Sequence, residues 1–207
     1  MIFQQLQQNI EKLVQQFDTI SADRKLQLEK LSAYIQQKYT EKQTPKLIVI
    51  CTHNSRRSHL GQLWLAAAGD YYKLPKLESF SGGTEATAFH PNAIAAVQRI
   101  GFKVEIATEA NNPKYAVSWK ENQEVYQAFS KRFEDDPNPK EAFSAIMVCT
   151  EADEGCPFVP GTDFRIALPF EDPKAFDGTS QEAAKYDERC QQIGTEMLYV
   201  LSKVSMS

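Results

Sequence analysis

Cys51 and Arg57, six positions apart with Ser58 directly after, are the residues of this chain whose types and spacing suit covalent chemistry on an anion. A thiolate is the nucleophile, and an arginine fork takes two oxygens of a tetrahedral oxyanion in a geometry that lysine cannot reproduce. Between them Thr52, His53, Asn54, Ser55 and Arg56 make a short polar loop. Wrapped over a helix N-terminus, such a loop aims several backbone N–H groups at one point, and the helix dipole adds partial positive charge there. The same place then holds an oxyanion and favours a charged sulfur. On this reading the Cys51 pKa lies well below the ordinary ~8.5, with Arg57 and the Ser58 hydroxyl contributing. Thr52 to Ser58 are the expected cradle.

Placing that loop takes a strand before it and a helix after it. Leu47, Ile48, Val49 and Ile50 form an uninterrupted apolar run, the pattern of a strand buried on both faces of a parallel sheet. Leu60, Leu63, Trp64 and Ala67 then recur at helical spacing, with Gly69 offering a C-cap. Cys51 thus falls at the carboxyl end of a strand, where ligands of open α/β sheets bind.

Four cysteines in 207 residues are few for a disulfide scaffold and point to catalytic, redox or buried thiols. Cys149 ends a second apolar run, Ala145 to Val148, and Cys156 follows seven residues later. On a continuous helix those two would stand ~10.5 Å apart along the axis, beyond disulfide reach. Either they never pair, or the segment between them unwinds, which Gly155 and Pro157 would assist. Cys190 shares an apolar stripe with Tyr186, Ile193, Met197, Val200 and Val204 on a last helix spanning about 180–203, and reads as structural. Three histidines, His53, His59 and His90, with no clustered Cys/His ligands, give no metal site.

CTHNSRRS resembles the anion-binding loop of the low-molecular-weight protein tyrosine phosphatases and of the thioredoxin-coupled arsenate reductases. Those families usually carry glycine at the position of His53 and commonly cysteine at that of Arg56. Ser81-Gly82-Gly83-Thr84 resembles a Ser-x-Gly-Thr segment beside the loop in the arsenate reductases, and VCTEADEGCP followed by FEDP resembles their redox segment. The resemblance covers roughly residues 46–204 and implies an open four-stranded parallel sheet. It also implies roles. Cys51 attacks arsenate held by Arg57 and the loop, Asp172 before Pro173 protonates the departing oxygen, Cys149 attacks Cys51 to release arsenite, and Cys156 resolves the resulting disulfide for thioredoxin to reduce. No bound cofactor is expected. A carboxylic acid beside a bound oxyanion should have a raised pKa, and Glu171 is the neighbouring competitor for Asp172.

The rest of the chain frames this domain. Phe3, Leu6, Ile10, Leu13, Phe17 and Ile20, then Leu28, Leu31, Ile35 and Tyr39, are two apolar helix stripes forming an N-terminal helical hairpin over residues 1–45. That arm packs on the domain or on a second copy as a homodimer contact, and the resemblance does not include it. Residues 46–207 form the catalytic domain, a parallel α/β sheet with helices on both faces. Lys76 to Phe80 reads as its second strand, and the paired glycines that follow suggest backbone passing close to a neighbouring loop or a ligand. Pro91 to Gly101 reads as a helix. Within the domain, an insertion at about 107–140 carries scattered aromatics and no clear period. The net charge of -4 gives no nucleic-acid footprint, no apolar run approaches the ~20 residues of a membrane span, and the N-terminus lacks a secretory signal, so cytoplasm is expected.

Three readings follow. The first is the arsenate reductase just outlined. The second is a phosphatase acting on phosphate esters through a phosphocysteine, for which the distal cysteines are incidental. The third is a redox sensor or anion-binding module without catalysis.

Overall fold

The computed structural model describes residues 1–156 and 158–205. Two helices, α1 (Gln4–Val14) and α2 (Ala22–Thr40), precede strand β1 (Lys46–Cys51) and helix α3 (Arg57–Tyr71). Strand β2 (Glu78–Gly83) and helix α4 (Pro91–Ile100) come next, then three strands, β3 (Lys103–Thr108), β4 (Lys114–Ser118) and β5 (Tyr126–Ala128). The chain closes with β6 (Phe143–Met147), α5 (Thr150–Gly155), β7 (Thr162–Ala167) and α6 (Glu182–Ser202).

Strands β2, β1, β6 and β7 lie side by side in that order, all parallel. This is the expected four-stranded open sheet. Leu47 to Ile50 of β1 are buried without exception. Successive side chains of a strand point to opposite faces, so both faces of β1 are covered. Helix α3 packs on β1, β2 and α6, while α5 lies against β1 and β6. The strand order reverses between β1 and β6. The crevice at such a reversal, at the carboxyl ends of the two strands, is where open α/β sheets bind ligands. Cys51 ends β1 there, and Cys149 lies two residues beyond β6.

The two N-terminal helices form as expected. Ser21 caps α2, its Oγ accepting from Arg24 N at 3.3 Å, a contact of the kind that contributes about 1 kcal/mol. Leu6, Ile10, Leu13, Leu28, Leu31 and Ile35 join the same apolar core as the sheet. Both helices lie against α6.

Two expected boundaries shift. Helix α3 runs through Gly69 to Tyr71, and Lys73, at φ 54°, takes the left-handed position while Leu74 N bonds back to Gly69 O at 3.0 Å. Strand β2 starts later than Lys76 and includes Gly82 and Gly83, because it pairs with β1 to the end, Cys51 opposite Gly83.

Strands β3, β4 and β5 form an antiparallel sheet of their own. Trp119 and Tyr126 tie it to the domain: Trp119 Nε1 donates to Asp70 at 2.6 Å, and Tyr126 Oη bonds Ser79 O at 2.7 Å and Gln62 at 3.0 Å. The chain then returns along β2, with Gly83 N donating to Lys131 O and Phe133 N to Gly83 O, both at 2.9 Å. No helix among the described residues is long and apolar enough to cross a membrane.

Candidate active site

The loop from Thr52 to Arg56 turns at Asn54, whose φ of 44° is left-handed; His53, at the glycine-like position, needs no such conformation. Asn54 is fully buried and fixes the loop from inside. Its Nδ2 donates to Ser58 Oγ at 2.8 Å, and its Oδ1 accepts from Lys131 N at 2.9 Å. Ser58 Oγ in turn stands 3.0 Å from Cys51 Sγ. Asparagine, serine and cysteine are thus linked at the start of α3.

Gly83 is pressed against this loop. A Cβ there would lie 2.6 Å from Thr52 O and 2.7 Å from Asn54 N, so no side chain fits. Of the paired glycines, Gly83 makes the close approach to this loop, while Gly82 faces the backbone of Phe133. Thr52 O and His53 O accept from Thr84 Oγ1, Thr87 Oγ1 and Ser130 Oγ at 3.0–3.1 Å, and Ser55 O accepts from His90 N at 2.9 Å. With its carbonyls tied outward, the loop is braced on every side.

Arg57 starts α3 and is 7% exposed. Its Nη1 donates to Phe170 O at 2.7 Å and its Nη2 to Asp172 Oδ2 at 2.7 Å, while its buried Nε has no acceptor among the described residues. Asp172 Oδ1 also accepts from Lys174 N at 3.0 Å, capping the short helical turn Pro173–Phe176. Glu171 points elsewhere, with its side chain 91% exposed and paired with Arg189 at 3.2 Å. Between the two acids, only Asp172 faces the loop. Cys51, Arg57 and Asp172 border one small cleft, of about 10 Å³, together with Thr52, His53, Ser55 and Arg56.

Arg56 and His53 do not converge on the sulfur in the same way. Arg56 Nε donates to Tyr186 Oη at 2.8 Å and Nη2 to Asp177 at 3.3 Å, with Asp172 at 4.0 Å. His53 is exposed at the rim, 3.8 Å from Glu85. Burial and the Arg56 charge lower the pKa of His90, which stacks on Tyr186.

Cys149 is fully buried, and Thr52 Oγ1 stands 3.4 Å from its Sγ. Burial pushes the Cys149 thiol up, against the opposing pull of the Thr52 hydroxyl. The register of the sheet makes this neighbourhood: Val148 N donates to Ile50 O at 2.9 Å, one residue before each cysteine. Cys156 closes the far end of α5, half-buried, with its Sγ 3.4 Å from Phe158 O; burial raises its thiol as well. All four cysteines are free thiols. Cys190 is buried in α6, its thiol pushed up to about 12 by desolvation. Pro157 lies outside the described residues.

Sequence reasoning missed the Phe170 carbonyl, the Asp177–Tyr186 pair that holds Arg56, and Lys131, buried behind Asn54. None carries a local sequence signal, because each reaches the loop from a distant element.

No family model matches the chain. The fold is that of the low-molecular-weight phosphatases: a structure of the low-molecular-weight protein tyrosine phosphatase from T. tengcongensis aligns over 77% of this chain and 99% of that one, with a TM-score of 0.53 at 14% identity. An arsenate reductase in its phosphate-binding state aligns over 78% and 100%, with a TM-score of 0.50 at 19% identity. In sequence, the chain is 28% identical over 133 residues to an arsenate reductase of Halalkalibacterium halodurans, covering 64% of this chain and 77% of that protein. The resemblance to the low-molecular-weight protein tyrosine phosphatase superfamily therefore holds in fold, and its curated sequence relatives include arsenate reductases.

Proposed function

We propose that this chain is an arsenate reductase in which three thiols act in turn. Cys51 attacks arsenic of arsenate, displacing an oxygen that Asp172 protonates, while Arg57 and the loop amides hold the remaining oxygens. Cys149 then attacks Cys51 Sγ. The sulfur–arsenic bond breaks, its electron pair leaves with arsenic as arsenite, and a Cys51–Cys149 disulfide remains. Cys156 attacks Cys149 Sγ and frees the Cys51 thiolate, leaving a Cys149–Cys156 disulfide for an external dithiol of the thioredoxin class.

The observation that carries this reading is the 3.4 Å contact between Thr52 Oγ1 and Cys149 Sγ, which sets a second thiol beside the loop that begins at Cys51. A hydrolase has no use for it. The unpartnered Nε of Arg57 supports the oxyanion part, since a buried donor is expected to find an acceptor. The phosphatase reading uses the same Cys51, Arg57 and Asp172, with water in place of Cys149.

The test is arsenate turnover with thioredoxin as sole reductant. Cys149→Ser is expected to eliminate arsenite production, and Cys156→Ser to stop after one turnover with a Cys51–Cys149 disulfide identifiable in tryptic peptides. Sustained turnover in Cys149→Ser would sink the relay. Hydrolysis of an aryl phosphate that survives both substitutions would put the phosphatase reading in front.

A further inference from the structure

Four successive residues of the segment carrying Asp172 are each gripped by an arginine. Pro169 O accepts from Arg24 Nη2 at 3.3 Å, Phe170 O from Arg57 at 2.7 Å, Glu171 from Arg189 at 3.2 Å, and Asp172 from Arg57 at 2.7 Å. Arg57 is the first residue of α3, and Arg189 belongs to α6. Arg24 comes from the N-terminal arm, 145 residues away from the carbonyl it holds.

Arg24 is built to stay there. It sits in the first turn of α2, fixed by the Ser21 cap, and its guanidinium lies 4.9 Å over the Phe170 ring. Its Nε donates to Glu196 at 2.9 Å and its Nη2 pairs with the same oxygen at 2.8 Å, where the Glu196 side chain is 6% exposed. Phe170 is itself buried, and its N–H bonds Val148 O at 3.1 Å.

We propose that Arg24 is a positioning residue for Asp172: by clamping Pro169 and the Phe170 ring it sets where the Phe170 carbonyl and the Asp172 carboxyl meet Arg57. The arm then serves the reaction without touching substrate. A guanidinium suits this task because it bonds in its plane and stacks on a ring at the same time. The inference rests on the acid role given to Asp172 above. A small displacement of the acid is enough to slow proton delivery to the departing oxygen, because positioning errors near 1 Å cost up to about a hundredfold.

Removing Arg24 alone would strand a buried carboxylate, so the test removes the pair together as Arg24→Met/Glu196→Gln. Burial already pushes the Glu196 carboxyl up against the pull of Arg24, and glutamine mimics the neutral form. The readouts are the single-turnover loss of thiols driven by arsenate, steady-state hydrolysis of p-nitrophenyl phosphate, affinity for inorganic phosphate, and thermal melting. The paired variant is expected to melt cooperatively, to bind phosphate within about twofold of wild type, and to lose roughly ten- to a hundredfold in rate. Placed on an Asp172→Asn background, it is expected to add no further loss, because both changes remove one function. Losses that multiply, or a variant as fast as wild type, overturn the role of Arg24 and leave the enzyme reading intact. A wild-type chain that neither consumes thiols with arsenate nor hydrolyses the ester overturns the enzyme reading, and the role of Arg24 with it.

Discussion

Asp172 Oδ2 accepts from Arg57 Nη2 at 2.7 Å, so the carboxylate assigned to deliver a proton occupies the guanidinium assigned to hold the anion. On the proposed reading, substrate and acid compete for one fork. Asp172→Asn removes both the competing charge and the proton donor, and its two effects are expected to have opposite signs. Affinity for inorganic phosphate should rise in a calorimetric titration, while turnover falls by about 10²–10⁴. Weaker phosphate binding in the variant would mean that Asp172 supports the anion site rather than screening it.

Arg57→Lys tests the fork. A lysine ammonium is a point charge and cannot serve Phe170 O, Asp172 and an anion in one plane. The expected loss in rate is ~10²–10³, that of one preorganised donor. Near-normal kinetics would shift the anion to Arg56, whose guanidinium lies 4.0 Å from Asp172.

Alkylation separates the thiols. Cys51 borders the cleft and has Ser58 Oγ at 3.0 Å, whereas Cys190 is fully buried with its thiol pushed up to about 12. Iodoacetamide at neutral pH is expected to label Cys51 first and Cys190 only on unfolding, read by peptide mass spectrometry. Cys51→Ser should abolish turnover and leave the melting curve cooperative, because a hydroxyl is a far poorer nucleophile. Earlier labelling of Cys190 would contradict the burial described for α6.

Lys131 gives a pH signature. Burial lowers its pKa from an ordinary 10.5 to about 8, against a weaker upward pull from Asp135; Lys131 in turn helps depress buried His59. Among the described residues its side chain is held by Phe129, through the carbonyl at 3.3 Å and the ring at 4.6 Å. The folded chain therefore binds fewer protons than the unfolded chain between about pH 8 and 10.5. The cost of the buried charge is full below that window and is relieved as pH rises through it. Lys131→Met keeps the backbone bond to Asn54 and is expected to stabilise the fold at pH 7 by on the order of 3 kcal/mol. That gain should shrink at pH 10 in urea unfolding.

Strand β1, the loop after it and helix α3 were legible because β1 is buried on both faces and reads as a solid apolar run. Strand β7 was not. It is an edge strand, half-buried, with Asp163 and Arg165 bonded to Tyr34 and Asp153 respectively, so neither alternation nor a run marks it. Strand β3 is mostly exposed and gives no period, while Trp119 and Tyr126 of the insertion that follows it pack against the core. The choice of Asp172 over Glu171 was open in the sequence, since adjacent residues differ only in where the backbone aims them. The grip of Arg24 on Pro169 spans 145 residues and has no sequence signal at all.

Helix α5 sets Cys149 and Cys156 at opposite ends of a six-residue rod. In a three-thiol relay that rod works as an insulator. It keeps the outer thiol from short-circuiting the inner pair before arsenic has arrived, yet it is far below the ~12–15 residues at which a lone helix begins to hold its own shape. In the proposed relay, such a segment would have to melt once Cys149 is tied to Cys51, and its shortness would make that easy. If the proposed relay operates, the order of its two disulfides would be set by mechanics: the first would join residues just past two neighbouring strands, and the second would wait for a short coil to let go.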